Sequence, residues 1–191
     1  MISSAACGDT VPIYTGGSGI AAGGSSARND GIIRDGSHMK DGKPLPSVTY
    51  QTGEHKYYYT TDSMGRITKI QAPNLQYKLH ADRLDHNPDT VDKQDFDHAG
   101  HLIADLFGGS PELDNLVSQW SKVNQKFYRN IERFWDECLA EGISVSVDIS
   151  IEYGDGMRPE AFHVYYIIDD TIDFYDIISN NPDDYQKSDT S

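Results

Sequence analysis

The sequence predicts an α+β fold, a twisted antiparallel sheet with one helix packed across it. Residues 57–70 are predicted to form two strands around a turn, and residues 143–151 alternate apolar and polar side chains as a half-buried strand does. A third segment repeats apolar side chains at helical spacing from Trp120 to Cys138 and forms one continuous apolar stripe. The stripe indicates that the helix packs on the sheet.

The other elements connect these three. In chain order we expect a turn at residues 62–65, a long polar loop at 72–96, a strand region at 96–106 with a bend at Gly100, a loop at 107–115, and a strand at 161–168 that pairs with 143–151. Ser118 or Ser121 can cap the helix, and Gly142 ends it.

The chain has 191 residues, which fits one domain with a leader and a tail. Residues 1–45 are rich in Gly, Ser and Ala and bury too little to offset the entropy of ordering, which predicts a disordered leader. Residues 46–178 form the predicted domain, and 179–191 an acidic tail. Residues 36–39 read Gly-Ser-His-Met, either a cloning junction or chance, so His38 has no predicted role.

The formal charge is -14, from 30 acidic and 16 basic residues, which is unusual for a protein that binds phosphates. The acidic residues are concentrated at residues 82–105 and 169–189, and the helix is locally basic. Cys7 and Cys138 do not make a disulfide framework, and Cys138 on the apolar helix face is predicted to be a buried thiol. No apolar run reaches 18 residues, so we expect no membrane span.

The residues suited to catalysis and metal binding follow residue 97. His101 follows the small pair Ala99-Gly100, two amides at Asn115 and Asn124 are nine residues apart, and the carboxylate of Glu132 comes eight residues later. A neutral imidazole can deprotonate water, and amide and carboxylate oxygens can hold a hard cation such as Mg²⁺. These residues are the set that a one-metal phosphodiesterase needs.

At these positions the chain resembles the DNA/RNA non-specific endonucleases, which have a ββα-metal (His-Me finger) core. The family's pattern is Asp-Arg-Gly-His, then Asn, a second Asn nine residues later and Glu eight residues after that. Gly100-His101 and both spacings match, and the resemblance covers about residues 57–168. Ala99 stands where the family has Arg, and His98 where it has Asp. A phosphate contact from that Arg is therefore not predicted here.

The resemblance implies a metal-dependent, sugar-nonspecific endonuclease that hydrolyses DNA, with RNA as a second candidate substrate. It implies His101 as the catalytic base and Asn124 as a ligand of Mg²⁺ or Mn²⁺. Glu132 would be a second residue of the metal site and orient water there, and Asn115 would fix the histidine or the water network.

Helix geometry places Asn124 and Glu132 on one flank of the apolar stripe and assigns Asn115 to the preceding loop. The basic residues of the helix fall on the opposite side and are read as a solvated face or a partner-docking surface: Lys122, Lys126, Arg129 and Arg133. The candidate substrate contacts are therefore sought elsewhere: Lys93, Arg83, Lys69 and Arg158. His98, three residues before His101 in a strand, is expected to point to the opposite face unless the bend at Gly100 changes the register.

The leader followed by a compact nuclease also resembles the C-terminal toxin modules of bacterial polymorphic toxins, such as contact-dependent inhibition systems. That resemblance implies secretion or delivery into the cytoplasm of a target cell, and a cognate immunity protein. Two other hypotheses stay open. One is a catalytically degenerate, acidic binding module of the same fold, and the other is an acidic mimic of nucleic acid.

Overall fold

The computed structural model describes residues 30–185 and contains eleven strands and one α-helix in that range. The strands are β1 (Ile32–Ile33), β2 (Met39–Lys40), β3 (Lys43–Pro44), β4 (Thr49–Thr52), β5 (Tyr57–Thr61), β6 (Ile67–Ala72), β7 (Asp97–His101), β8 (Leu116–Trp120), β9 (Val145–Tyr153), β10 (Pro159–Ile168) and β11 (Ile172–Ser179). The helix, α1 (Arg129–Ala140), follows a π-helical turn at Val123–Tyr128.

A seven-stranded sheet forms the main layer, in the order β1-β4-β5-β6-β9-β10-β11. All neighbouring strands are antiparallel except β1 and β4, which are parallel. The predicted hairpin at residues 57–70 is confirmed as β5 and β6, and the predicted strand pair after the helix as β9 and β10. The α+β fold class is therefore confirmed.

The helix covers one face of this sheet because its apolar side chains point towards it. Trp135 is fully buried and its ring lies 5.6 Å from that of Tyr166 on β10. Cys138 is also buried, as predicted, and burial raises the pKa of its thiol. Helical backbone runs from Ser121 to Ala140, and Gly142 after it has φ +76°, which suits a residue without a Cβ.

A separate two-stranded ribbon positions the candidate site. β7 and β8 pair antiparallel, with His101 opposite Leu116, and β8 leads directly into the helix. The order strand, strand, helix brings the end of β7 close to the first turns of the helix.

Part of the predicted leader belongs to the folded domain. Residues 30–45 contain β1, β2 and β3, and β1 extends the main sheet. His38 is 4% exposed, its Nε2 donates a hydrogen bond to Asp114 Oδ2 at 2.9 Å, and its ring stacks on Tyr50 at 4.2 Å between ring centroids. A segment of linker-like composition is thus ordered by a partner 76 residues away, which composition does not reveal.

The start of the predicted acidic tail is likewise docked. The fully buried Asn180 accepts a hydrogen bond from the Trp120 N–H and donates to Ser118 O and Pro159 O. Tyr185 stacks on Phe127 at 4.7 Å. Residues 1–29, which include Cys7, and 186–191 lie outside the described residues. Within 30–185, no helix is long and apolar enough to cross a membrane.

Candidate active site

A cleft of about 750 Å³ opens between β7, the polar loop at residues 72–96 and the helix. It brings together five of the residues singled out from the sequence: His101, Asn124, Glu132, Arg83 and Lys93. Its wall also includes His86, His98, Ala99, Asp105, Lys78 and Arg129. The cleft therefore combines a candidate base, oxygen ligands and cationic side chains in one place.

His101 lies at the end of β7, where the ribbon meets the loop. Burial lowers the pKa of His101 to about 4, and its electrostatic interactions with His86 and Arg83 act in the same direction, while that with Asp105 opposes them. The imidazole is therefore neutral at pH 7. A neutral imidazole can accept a proton, which is what a general base must do.

Two further histidines border His101. The ring of His86 stands edge-on to the His101 ring, with centroids 5.1 Å apart. His98 Nδ1 lies 3.4 Å from Asn124 Nδ2, a long hydrogen bond. The expectation that His98 faces away from His101 is wrong, because both side chains border the cleft. His86 had no sequence pattern to single it out, and only the folding of the 72–96 loop brings it here.

The π-helical turn aligns the helix residues of the site. In a straight α-helix, Glu132 would lie about 80° and Arg129 about 140° around the axis from Asn124. A π-turn contains one residue more than an α-turn, so it moves every later residue back by about 100°. Glu132 and Arg129 then fall within about 40° of Asn124, and all three line the cleft.

The interpretation of Arg129 as part of a face opposite Asn124 is therefore wrong. That interpretation assumed uninterrupted α-helical geometry, and the π-turn at Val123–Tyr128 breaks this assumption. Lys122, Lys126 and Arg133 are exposed and do not line the cleft, as expected for a solvated face.

Glu132 lies at the cleft with its carboxyl group largely withdrawn from water. Burial raises its pKa to about 7, and the positive charge of Arg129 opposes this shift. A cation bound nearby would favour the ionised form. A carboxylate in this environment is suited to contact a metal or to orient water.

Asn115 lies beneath the cleft and does not line it. It is fully buried, and its side chain uses its whole hydrogen-bonding capacity. Oδ1 accepts from the Tyr59 hydroxyl at 2.8 Å and from the Ile103 N–H at 3.0 Å, and Nδ2 donates to Ile103 O at 2.9 Å and Ser110 O at 2.8 Å. Asn115 thus fixes the backbone two residues after His101.

The cleft is locally cationic although the chain is acidic. Lys78, Arg83, Lys93 and Arg129 face two carboxylates, Asp105 and Glu132. Lys78 is held by Asp105 at 2.9 Å, whereas the ammonium group of Lys93 contacts, within the described part of the chain, only the carbonyl of Pro88. The fold therefore gathers scattered basic residues into one footprint.

Two candidate substrate contacts lie elsewhere. Arg158 Nε and Nη2 donate to the two carboxylate oxygens of Asp97 at 2.7 and 2.9 Å, and Nη2 also reaches Asn180 O. Lys69 pairs with Asp148 across the main sheet at 3.1 Å. Neither residue lines the cleft, so we leave both out of the proposed substrate contacts.

A polar clamp secures the loop that supplies Arg83 and His86. His80 Nδ1 bonds to Glu54 Oε1, and His80 Nε2 bonds to Asp105 Oδ1 at 3.1 Å. These two carboxylates raise the pKa of His80. Because Asp105 also binds Lys78, the loop is tied to the segment just after His101.

The donor set fits a hard cation with few protein ligands. Residues 30–185 contain no group of three or more His, Cys, Asp or Glu side chains suited to hold a metal. The cleft offers instead the amide oxygen of Asn124 and the carboxylate of Glu132. Mg²⁺ keeps several of its waters and binds through one or two protein oxygens, so these two residues would suffice.

Comparison with known proteins places the chain among nucleases. Residues 46–170 match the DNA/RNA non-specific endonuclease family. The chain is 38% identical over 136 residues to the type VII secretion system protein EssD of Staphylococcus aureus, an alignment covering 66% of this chain and 22% of EssD. It is 30% identical over 71 residues to the probable deoxyribonuclease RhsA of Dickeya dadantii, covering 37% of this chain and 5% of RhsA. The chain thus spans about a fifth or less of these relatives.

Among solved structures, the crystal structure of NucA from Streptococcus agalactiae with magnesium bound is similar to this fold. The TM-score is 0.55 at 20% sequence identity, over 70% of this chain and 78% of that chain. The metal-free NucA crystal structure matches with a TM-score of 0.54, also at 20% identity, over 68% of this chain and 73% of that chain. These matches agree with the ββα arrangement of β7, β8 and the helix.

Proposed function

We propose a function for this chain, which belongs to the DNA/RNA non-specific endonuclease family. It would be a metal-dependent, sugar-nonspecific endonuclease that hydrolyses phosphodiester bonds of DNA. RNA is the second candidate substrate. The observation that carries the proposal is the joint placement of neutral His101, Asn124 and Glu132 in one cationic cleft.

In the proposed reaction, His101 takes a proton from a water molecule, and the oxygen of that water attacks phosphorus in line with the leaving oxygen. As the new P–O bond forms, the bond from phosphorus to the leaving oxygen breaks, and the leaving oxygen takes up a proton from water. Asn124 and Glu132 would hold Mg²⁺ or Mn²⁺, which would supply Lewis-acid stabilisation of charge on the phosphate and the leaving group. Arg83 and Lys93 would contact phosphate oxygens of the substrate. Asn115 would act as a positioning residue, because it fixes the backbone just beyond His101.

We extend the proposal to the biological role. EssD is named as a type VII secretion system protein and RhsA as a probable deoxyribonuclease, and both relatives are several times longer than this chain. These features support a toxin domain that is secreted or delivered to the cytoplasm of a target cell. A nuclease with that role requires a cognate immunity protein in the producing cell, which we propose as its partner.

Plasmid cleavage tests the enzymatic proposal. Supercoiled plasmid and a single-stranded RNA are each incubated with the purified chain in Mg²⁺, in Mn²⁺ and in excess chelator. We expect plasmid nicking and linearisation with either metal and none with chelator. Plasmid that is bound but uncut in both metals would contradict the proposal.

That last outcome would favour the alternative of a catalytically degenerate binding module. The feature behind this alternative is Ala99, which borders the cleft where the family pattern has an arginine. Neither binding nor cleavage would instead favour an acidic mimic of nucleic acid, in agreement with the formal charge of -14.

A further inference from the structure

Arg129 is a cleft residue to which the proposed mechanism gives no role. Residues 30–185 contain six arginines, and four of them are ion-paired: Arg34 with Asp30, Arg66 with Asp62, Arg133 with Glu137 and Arg158 with Asp97. Within this range, the guanidinium groups of the other two, Arg83 and Arg129, make no hydrogen bond or ion pair, and both residues line the cleft. In so acidic a chain, two unpaired guanidinium groups in one cleft point to an anionic ligand.

The backbone conformation of the π-turn brings Arg129 to the cleft. The π-turn places it within about 40° of Asn124 around the helix axis, whereas an uninterrupted α-helix would turn it about 140° away. π-turns are rare and occur often at functional sites. Arg129 is the first residue after this turn, so the turn decides on which face its side chain lies.

We infer that Arg129 binds the scissile phosphodiester, with two guanidinium N–H groups donating to its two non-bridging oxygens. This inference rests on the proposed function, since it assigns Arg129 to the same substrate. A planar guanidinium matches the geometry of two phosphate oxygens, which a lysine ammonium does not. From the helix, Arg129 would hold the phosphate beside Asn124 and Glu132, while His101 approaches from β7.

Three variants test the inference. Arg129→Gln removes the charge, Arg129→Lys keeps the charge but not the fork, and Lys126→Gln removes a charge from the same helix outside the cleft. Each is assayed for plasmid cleavage in Mg²⁺. Each is also combined with His101→Ala, and its binding to a fluorescent 20-mer DNA duplex is measured over a salt series with and without Mg²⁺.

Arg129→Gln should lower kcat/KM by about 10²-fold, as loss of one positioned donor to a transition-state oxyanion does. It should also flatten the salt dependence of binding by about 0.9 in the log–log slope. Arg129→Lys should keep the slope of the wild type but recover less than about a tenth of its rate, because the fork is lost. Lys126→Gln should leave both measurements unchanged.

Unchanged cleavage and an unchanged salt slope in Arg129→Gln would overturn the inference. Full activity in Arg129→Lys would also overturn it, because charge alone would then suffice. A loss in Lys126→Gln equal to that in Arg129→Gln would show a diffuse charge effect and overturn the assignment to Arg129. If the wild type does not cleave DNA, the proposed function fails, and the binding arm still decides whether Arg129 contacts phosphate.

Discussion

Asn115 and Asn124 lie nine residues apart but in opposite environments. Asn115 is fully buried and makes four hydrogen bonds to Tyr59, Ile103 and Ser110. Asn124 borders the cleft, and among residues 30–185 its amide makes only the long contact to His98. An amide with every bond satisfied can hold the backbone but cannot bind a ligand, whereas one with a free oxygen can. The layer around Asn115 is therefore a support, and the cleft around Asn124 is where chemistry can occur.

The largest expected effect is loss of the base in the cleft. His101→Ala should lower the rate of plasmid cleavage by about 10²–10⁴-fold without changing the thermal midpoint, since the imidazole supports the reaction rather than the fold. His163→Ala is a matched control, because His163 lies on β10 and does not line the cleft. Cleavage at the wild-type rate by His101→Ala would remove His101 from the mechanism.

The two asparagines should respond in opposite ways to the same substitution. Asn124→Ala should keep the stability of the wild type but raise the Mg²⁺ concentration for half-maximal cleavage. Asn115→Ala should lower the free energy of unfolding by about 1–3 kcal/mol or more, because it leaves buried backbone groups of Ile103 without partners. Urea melts and Mg²⁺ titrations measure these effects, with the exposed Asn130→Ala as control. Equal loss of stability in both variants would refute the distinction.

Truncation tests how far the support layer extends towards the N-terminus. A chain that starts at Asp30 should melt like the full chain, since it retains every described strand. A chain that starts at Lys43 should lose about 1–3 kcal/mol or more, because it removes His38 and leaves the buried Asp114 with one fewer partner. His38→Leu isolates that contact in the full chain. If the Lys43 chain is as stable as the Asp30 chain, residues 30–42 do not belong to the support.

The smallest expected effect is on the pH dependence of the cleavage rate. The pKa of Glu132 is raised to about 7, so at sub-saturating Mg²⁺ cleavage should rise as pH increases through about 7 and the carboxyl group ionises. Saturating Mg²⁺ should shift this midpoint to lower pH, because a cation favours the charged carboxylate. His101, with a pKa of about 4, stays neutral throughout and should reduce the rate only near pH 4 and below.

The variant Glu132→Gln distinguishes the contribution of Glu132 to the pH profile of cleavage from that of His101. The variant should be slower but show no change of rate with pH near 7. A remaining midpoint near 6.5 would instead indicate a histidine with an ordinary pKa, which would contradict the neutral base in the buried position.

The sequence alone determined several local elements and pointed to the residues of the candidate site. Strand alternation and the apolar stripe predicted β5, β6, β9, β10 and the helix, because these patterns reflect one buried face per element. The family pattern pointed to His101, Asn124 and Glu132, and the structure brings these three residues together in the cleft. Their catalytic and metal-binding roles stay predictions.

Only the tertiary structure decided which residues share a space. The π-turn that brings Arg129 to the cleft arises from hydrogen bonds between residues i and i+5. Neither the composition nor the periodicity of the sequence predicts these bonds. The pairing of His38 with Asp114 spans 76 residues, and the pairing of Arg158 with Asp97 spans 61. Periodicity reports which face of an element is buried, whereas contacts between distant segments depend on how the elements pack. That packing ordered residues 30–45 and made a cationic cleft in an acidic chain.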